Sequence, residues 1–366
     1  MDIRFFRLSE RQLLLDSIDR LWRHEHIYVR SPAVLEHLVL NTPYRIEYAG
    51  ADNYSFVGMW DDDKVVGLAG MIPQKLNVFG NAHPSQTTTV WIVDKNHHRK
   101  LNGMKMLKSL SEVKPMMHLV IGISETHKWI AQSLGWYVFE DFPRWIAVVN
   151  KEDIIKHLLP NDDTESYLPM AHCADFHSDK YRVSNSFDGD SWDIFYREKF
   201  APIFIGTARD AEFLKWRYES SPVLKYDFIS ITDADGNYHG LAVVRIESIA
   251  EGRYKIGRIL EFIAVETEPA ILLGNAVLNS DASVLMWDFY CLSEVTAFGL
   301  ESVGFRRIPF WIDKVMMPTR FQPVDYEHMK IVGAIDLNAN IREQLSTMPV
   351  PQWYITKGDA DQDRAN

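Results

Sequence analysis

"AQSLGWYVFEDFPRWIAVV", residues 131–149, and "LESVGFRRIPFWIDKV", residues 300–315, share one shape. Each reads as a helix end, then Ser-x-Gly-aromatic, then a short strand carrying Trp-Ile (Trp145–Ile146 and Trp311–Ile312). An ending written twice marks a repeated unit, and this repeat extends backwards. "YSFVGMWDDDKVVGLAGMIPQK", residues 54–75, has two alternating apolar runs around an acidic turn, a hairpin signal. "YDFISITDADGNYHGLAVVRIE", residues 226–247, repeats it, with Asp233–Asn237 as the turn. Gly67 and Gly240 are 173 residues apart and Gly135 and Gly304 are 169 apart, so two landmarks keep nearly one offset.

Within each copy the same order is expected. A helix (around Leu35–Leu40, and Ala211–Tyr218) precedes the hairpin. A third strand (Thr87–Val93; Arg258–Val265), a helix (Gly103–Val113; Ala270–Leu278) and a strand (His118–Ile123; Val284–Cys291) follow, and a further helix leads into the quoted ending. Helices interleaved with strands and an antiparallel hairpin imply mixed α/β layers, an α+β mixed sheet in each copy. The expected division is a first domain over 1–150, a linker over 151–196 rich in Asp, Ser, Asn and Pro, a second domain over 197–317, and an extension over 318–366.

The chain has 366 residues, enough for two cores, with 46% hydrophobic and 24% charged residues, as in a soluble globular protein. A net charge of −11 argues against a broad nucleic-acid surface, which needs clustered Lys and Arg to neutralise phosphates. The two cysteines, Cys173 and Cys291, have no metal-knuckle or redox spacing and suggest a reducing compartment. With no signal-peptide pattern and no run of 18 apolar residues, a cytoplasmic protein is expected.

The chemistry-bearing stretch is "TTTVWIVDKNHHRKLNGMKMLKSLSEVK", residues 87–114. A β-branched strand ends at Asp94, a turn of His, Arg and Lys follows, and then a helix with Met104, Leu107 and Leu110 on one face. From Lys95 to Lys114 there are six Lys or Arg and one Glu, in an acidic chain. The first N–H groups of a helix have no internal partner and its dipole favours negative charge, so strand, basic turn and helix start form an anion site suited to a pyrophosphate. Lys105, Lys108 and Lys114 also fit the plain solvated face of an amphipathic helix. The matching connection in the second copy, "VETEPAILLGNAVL" (residues 265–278), carries two Glu and no Lys or Arg. The charges therefore segregate between the copies.

On these residues the first copy resembles the GNAT acyltransferase fold, whose phosphate loop reads Arg-x-x-Gly-x-Gly/Ala after a strand ending in Val. Val93 takes the strand end and Gly103 the last Gly/Ala, with Met106 and Leu107 behind; His98 stands in the Arg place and Leu101 in that of the first Gly. "GISETHKWIAQSLGW", residues 122–136, resembles the family's later strand–helix–Gly-aromatic segment. The resemblance implies acyl-CoA as donor, with no metal. Its pyrophosphate would lie on the amides near Arg99–Met104, and its pantetheine along Trp91, Ile92 and Val93. His98, Lys100, Leu101 and Asn102 complete the expected cofactor contacts. The second copy resembles the same fold with a degenerate cofactor loop. The whole chain, including "RDAEFLKWRYESSP" (209–222) and "WYITKGDADQDR" (353–364), resembles tandem-GNAT proteins encoded with bacterial surface-polysaccharide genes. Some of these N-acylate dTDP-linked sugars such as dTDP-3-amino-3,6-dideoxyhexoses from 3-hydroxybutanoyl-CoA or acetyl-CoA. That implies a dTDP-linked amino sugar as acceptor, in O-antigen or capsule synthesis; a homodimer is left open.

Amide formation needs a neutral amine, a polarised thioester carbonyl and a proton for the leaving thiolate. The family's Tyr, four residues before the helix-terminal Gly, is Ala131 here. Glu125 and His127, just after the strand ending at Ile123, are the best-placed titratable groups, and His83 is the next; Glu125 also fits a dipole-complementing first turn. Gln86 and Thr88 on the Thr-rich strand, and Trp216 with Arg217, are the candidates for holding the acceptor, although the Phe213–Leu214–Tyr218 spacing is also that of a core helix. Asp359, Asp361 and Asp363 alternate as in a calcium loop but lack its Gly and closing Glu, so a solvated acidic tail is expected. Two alternatives stand beside this reading: a GNAT enzyme acting on another amine, and a non-catalytic acyl-CoA-binding module.

Overall fold

A computed structural model describes residues 1–97, 102–111, 116–140, 142–158, 168–293, 297–308, 320–321, 324–325, 331–346 and 353–363. In chain order the elements begin β1 (Asp2–Arg7), α1 (Arg11–Leu21), α2 (Ile27–Arg30), α3 (Pro32–Val39), α4 (Arg45–Ala49), β2 (Asn53–Asp61), β3 (Lys64–Val78) and β4 (Asn81–Val93). Next come α5 (Asn102–Ser111), β5 (Met117–Ile121), α6 (Glu125–Ser133), β6 (Tyr137–Phe139), β7 (Arg144–Val148), α7 (Lys151–Leu158), β8 (Arg182–Ser184), α8 (Gly189–Phe195), β9 (Ile205–Thr207) and α9 (Ala211–Leu214). β10 (Asp227–Thr232), β11 (Tyr238–Ile249), β12 (Tyr254–Ala264), α10 (Thr267–Asn279), β13 (Val284–Tyr290), α11 (Ala297–Glu301) and β14 (Arg306–Ile308) follow. The last are β15 (Arg320–Phe321), β16 (Val324–Asp325), β17 (Gly333–Leu337) and α12 (Ala339–Ser346).

Local chemistry accounts for the boundaries. Asp233 accepts from the amides of Asp235 and Asn237 and closes the β10–β11 turn. Ser124 and Asp210 cap α6 and α9 by accepting from His127 N and Phe213 N. The two landmark glycines after α6 and α11 have positive φ, +76° at Gly135 and +94° at Gly304. At Gly304 a Cβ would also approach the Met170 carbonyl oxygen to 2.2 Å, which only glycine avoids.

Two mixed sheets result. The first runs β1-β2-β3-β4-β5-β17-β6, with β9 also on β3; the second runs β8-β10-β11-β12-β13-β7-β14. Position by position the orders match, and the sixth strand of each sheet comes from the other half of the chain. β7, with Trp145 and Ile146, lies between β13 and β14. β17 lies between β5 and β6. The boundaries expected at 150 and 317 therefore do not coincide with the sheets: the first unit's last strand completes the second sheet, and the extension completes the first. The segment expected as a linker, 151–196, supplies the edge strand β8. Trp311 and Ile312 lie outside the described residues.

α5 covers one face of the first sheet, packing Met106 and Leu110 on Val57, Met59, Ala69 and Met71. The other face shares a single apolar cluster with α1, α3, α10 and the second sheet, from Phe6 and Phe56 through Phe213 to Leu241, Phe262 and Leu273. Burying each such side chain stabilises the fold by about 1.5–3 kcal/mol.

The tail is a correction. Asp359, Asp361 and Asp363 are buried, not solvated. Asp359 pairs with Arg209, Asp361 accepts from Tyr28 Oη at 2.9 Å, and Asp363 takes Arg245 and Tyr226. Among the described residues, no group of three or more His, Cys, Asp or Glu is arranged to hold a metal ion.

Candidate functional site: the parting of two parallel strands

β4 and β5 pair in parallel only from Ser85↔Met117 to Thr88↔Val120. Beyond Thr88, β4 carries an extra residue relative to β3, since Ala69 faces Trp91 and Met71 faces Thr88. This bulge turns β4 away. β5 ends at Ile121, and Gly122 N (φ +81°) donates instead to Val332 O at 2.8 Å, on the β17 side. The two strands thus open a V whose vertex is Thr88. Asp94 N donates to Val66 O. By alternation, the backbone groups of Trp91 face away from β3, into the V. α5 begins beside it: Asn102 is buried and donates to His97 O at 2.8 Å. A Cβ on Gly103 would lie 3.7 Å from Trp91 Cζ2, so the chain's own packing does not demand glycine there. His98, Arg99, Lys100 and Leu101 lie outside the described residues.

Polar side chains gather at the vertex. Thr88 Oγ1 is 2.5 Å from His118 Nε2, and Tyr48 Oη donates to Gln86 Oε1. Trp136 packs on His118 with ring centres 5.0 Å apart, and His127 stacks on Trp91 at 4.5 Å, its Nδ1 3.2 Å from Ser124 Oγ. Burial holds the His118 imidazole neutral, lowering its pKa to about 3, and also lowers that of His127. Next to Tyr48 opens a cavity of about 280 Å³ whose walls include Tyr44, Glu47, Lys75 and His83.

The second sheet has the same parting, and there it is filled. β12 and β13 pair as far as Ile259↔Phe289, followed by a bulge in β12. The tail enters that V: Leu292 N donates to Ile355 O at 2.9 Å, Thr356 bridges Cys291, and Tyr354 Oη accepts from Phe262 N at 3.0 Å. α10, the counterpart of α5, carries Glu268 in its first turn and Glu266 before it, a charge that disfavours an anion.

Comparison with known proteins agrees with this topology. No family model and no curated protein matches the sequence. Solved structures do match. A GCN5-related N-acetyltransferase from Anabaena variabilis superposes with a TM-score of 0.58 at 9% identity, over 92% of this chain and 72% of that one. A conserved protein of Enterococcus faecalis V583, described as a probable N-acyltransferase, gives 0.56 at 12% identity over 91% and 72%. Saccharomyces cerevisiae N-myristoyltransferase with bound myristoyl-CoA gives 0.51 at 12% identity over 91% and 78%. The fold is the GNAT fold.

Within the GNAT fold the expected residues sort by place. Trp91, Ile92 and Val93 line the opened arm of the V, with Gly103 and Met104 in the first turn of α5. Gln86 and Thr88 sit at the vertex, His127 over Trp91, and His83 in the cavity wall. Glu125 is not brought to them: its side chain is 84% exposed and lies 3.8 Å from Lys128, the pairing of a helix first turn. Trp216 and Arg217 are corrected outright. They lie in a π-helical turn after α9, buried, with Trp216 Nε1 donating to His37 O and Arg217 to the carbonyls of Gly358 and Ala360 at 2.8 Å. Trp216 is thus tied to α3 and Arg217 to the tail, both as buried packing groups and not as walls of the V. Sequence reading missed Tyr48, His118 and Trp136. Alternation offered one signal: in Met117–Ile121 the apolar set is 117, 119 and 121, which sends His118 to the opposite face, beside Thr88.

Proposed function

We propose that this chain is an acyl-CoA-dependent N-acyltransferase, with its donor site in the V between β4 and β5. Its acceptor in this reading is the amino group of a nucleotide-linked, specifically dTDP-linked, amino sugar. The observation that carries the reading is the contrast between the two partings. One is the more open: the tail sends into it the Gln362 side chain, whose Nε2 donates to Ile121 O at 3.0 Å, and the helix start beside it is free of acidic residues; the other is filled by the backbone of the tail and flanked by Glu266 and Glu268. In the open one, the amides of Asn102, Gly103 and Met104 and the basic turn before them suit a pyrophosphate, and the arm Trp91–Val93 suits a pantetheine amide. The amine attacks the thioester carbon, a C–N bond forms as the C–S bond breaks, and the thiolate leaves with a proton. His127, neutral and half-buried over Trp91, is the proposed base for the ammonium. Ala131 offers no acid to the thiolate. The cavity walled by Tyr44, Tyr48 and His83 supports the acceptor's place; the sugar itself rests on the family resemblance. Cytoplasmic location belongs to the same proposal. Among the described residues no helix is long and apolar enough to cross a membrane.

Calorimetric titration with CoA and acetyl-CoA on the natural chain and on Gly103→Glu tests the donor site. One CoA per chain is expected, lost in the variant, whose carboxylate meets the pyrophosphate. Absence of CoA binding refutes the reading. Binding without turnover on any amine, dTDP-amino sugars included, would identify an acyl-CoA-binding module instead.

A further inference from the structure

Two polar nitrogens at the vertex have no hydrogen-bond partner among the described residues: Gln86 Nε2 and His118 Nδ1. Their residues are 0% and 2% exposed. They are also register partners on the parallel strands β4 and β5, so both side chains rise from one face of the sheet side by side. A buried donor left without an acceptor has lost its water and gained nothing in exchange. Two such donors lie side by side just inside the vertex of the V, where one ligand oxygen would satisfy both.

The partners already present define what that is. Gln86 Oε1 is taken by Tyr48 Oη, which leaves the amide nitrogen as a donor. His118 Nε2 is 2.5 Å from Thr88 Oγ1, whose other acceptor is the Met71 sulfur at 3.7 Å. A hydroxyl prefers an imidazole lone pair to a thioether, so Thr88 donates to Nε2 and the proton of the neutral ring sits on Nδ1. Both orphans are then N–H donors. The side chains that bond or stack on them, Tyr48, Thr88 and Trp136, are uncharged. A carboxylate or phosphate there would be a buried charge with no counter-ion. Tyr48, which holds Gln86, and Pro73, the register partner of Gln86 on β3, both wall the 280 Å³ cavity, so the pair lies behind that wall.

We propose that Gln86 Nε2 and His118 Nδ1 together bind one uncharged oxygen, a carbonyl or hydroxyl, of the substrate at the vertex of the V. This rests on the acyl-CoA reading above. The oxygen belongs either to the acyl group or to the acceptor, and the two sources separate by experiment. Thr88 is a positioning residue in this arrangement, since its hydroxyl fixes the tautomer.

The first measurement is nitrogen NMR of the full chain with labelled imidazoles at pH 7. His118 is expected neutral with its proton on Nδ1, and the Nε2–H tautomer overturns the proposal. The second compares butanoyl-CoA with 3-hydroxybutanoyl-CoA by titration on the natural chain, Gln86→Met and Thr88→Val, each first shown to be folded by its melting transition. A preference of roughly tenfold for the hydroxylated donor that disappears in both variants assigns the oxygen to the acyl group. Equal donor affinities together with a rise of tenfold or more in the acceptor KM of both variants, at little-changed kcat, assign it to the acceptor. Normal CoA binding with every affinity and KM unchanged overturns the subsite alone. No CoA binding by the natural chain overturns the donor reading, and the subsite with it.

Discussion

Asp359 accepts both terminal nitrogens of Arg209 in a fork, Nη1 to Oδ1 at 2.9 Å and Nη2 to Oδ2 at 2.8 Å, where neither side chain is exposed at all. Arg209 Nε lies 2.8 Å from Glu261, which in turn accepts from Tyr218. The tail is thereby clamped to the second sheet by a charge cluster that water does not reach. Removing one partner of such a pair strands the other in a poorly polarisable interior. Asp359→Ala is expected to cost about 3–5 kcal/mol, read from urea midpoints, while Arg209→Met with Asp359→Leu and Glu261→Gln, which removes every charge of the cluster, regains part of it. A loss below about 1 kcal/mol would show that the clamp is not holding the tail.

The crossed strands predict interdependence. Residues 1–150 alone lack β17 and leave β5 and β6 unjoined, and 151–366 alone lacks β7. Neither fragment is expected to show a sharp denaturation transition, and mixing them should restore one. Cooperative unfolding of the isolated 1–150 fragment would count against this dependence.

Stability is expected to fall in mild acid. Burial lowers the pKa of His118 to about 3 and that of His37 to about 4, against about 6.5 for a free imidazole. Below about pH 6.5 the unfolded chain binds protons that the folded chain refuses. Each histidine therefore contributes stability at neutral pH that is lost as pH drops from about 6.5 towards its folded value, at up to about 1.4 kcal/mol per pH unit. Urea midpoints at pH 7, 6 and 5 should show a shallower decline in His37→Gln than in the natural chain. An unchanged slope would mean that His37 titrates normally.

His127 should shape the rate profile. Its lowered pKa places the acid limb of kcat/KM below about pH 6.5. In His127→Gln the rate should drop by about 10²–10⁴ and that limb should vanish, as tested on the acceptor that first shows turnover. A variant retaining both limb and rate would reassign the base.

Local features were legible in the sequence and long-range ones were not. The hairpins, the strand Thr87–Val93 and the glycines at 135 and 304 announce themselves because period-two alternation and a positive φ are properties of a few neighbouring residues. The exchange of β7 and β17 is silent, since "RWIAV" and "GAIDL" are short apolar runs that suit either sheet. The aspartates of 359–363 look like a solvated tail because the groups that neutralise them, Arg209 and Arg245, are more than 100 residues away in sequence. Of the candidate site, the nearness of His127 to the opened arm was readable from their order along the chain. His118 was not, because a single histidine in an apolar strand acquires meaning only from Thr88 on the next strand. Trp216 and Arg217 misled for the converse reason: their chemistry suits a ligand, but their partners are backbone carbonyls, of His37 for Trp216 and of the tail for Arg217.

The crossed topology also bears on synthesis. When β5 and β6 leave the ribosome, the strand that belongs between them is still unmade, and translation at about 5–20 residues per second delivers it on the order of ten seconds or more later. During that interval β7, already made and of suitable length and apolarity, is the nearest candidate for the vacant place. The nascent chain must therefore either hold that place open or surrender β7 once the second sheet assembles. Growth of this protein is a contest between the first partner available and the final one.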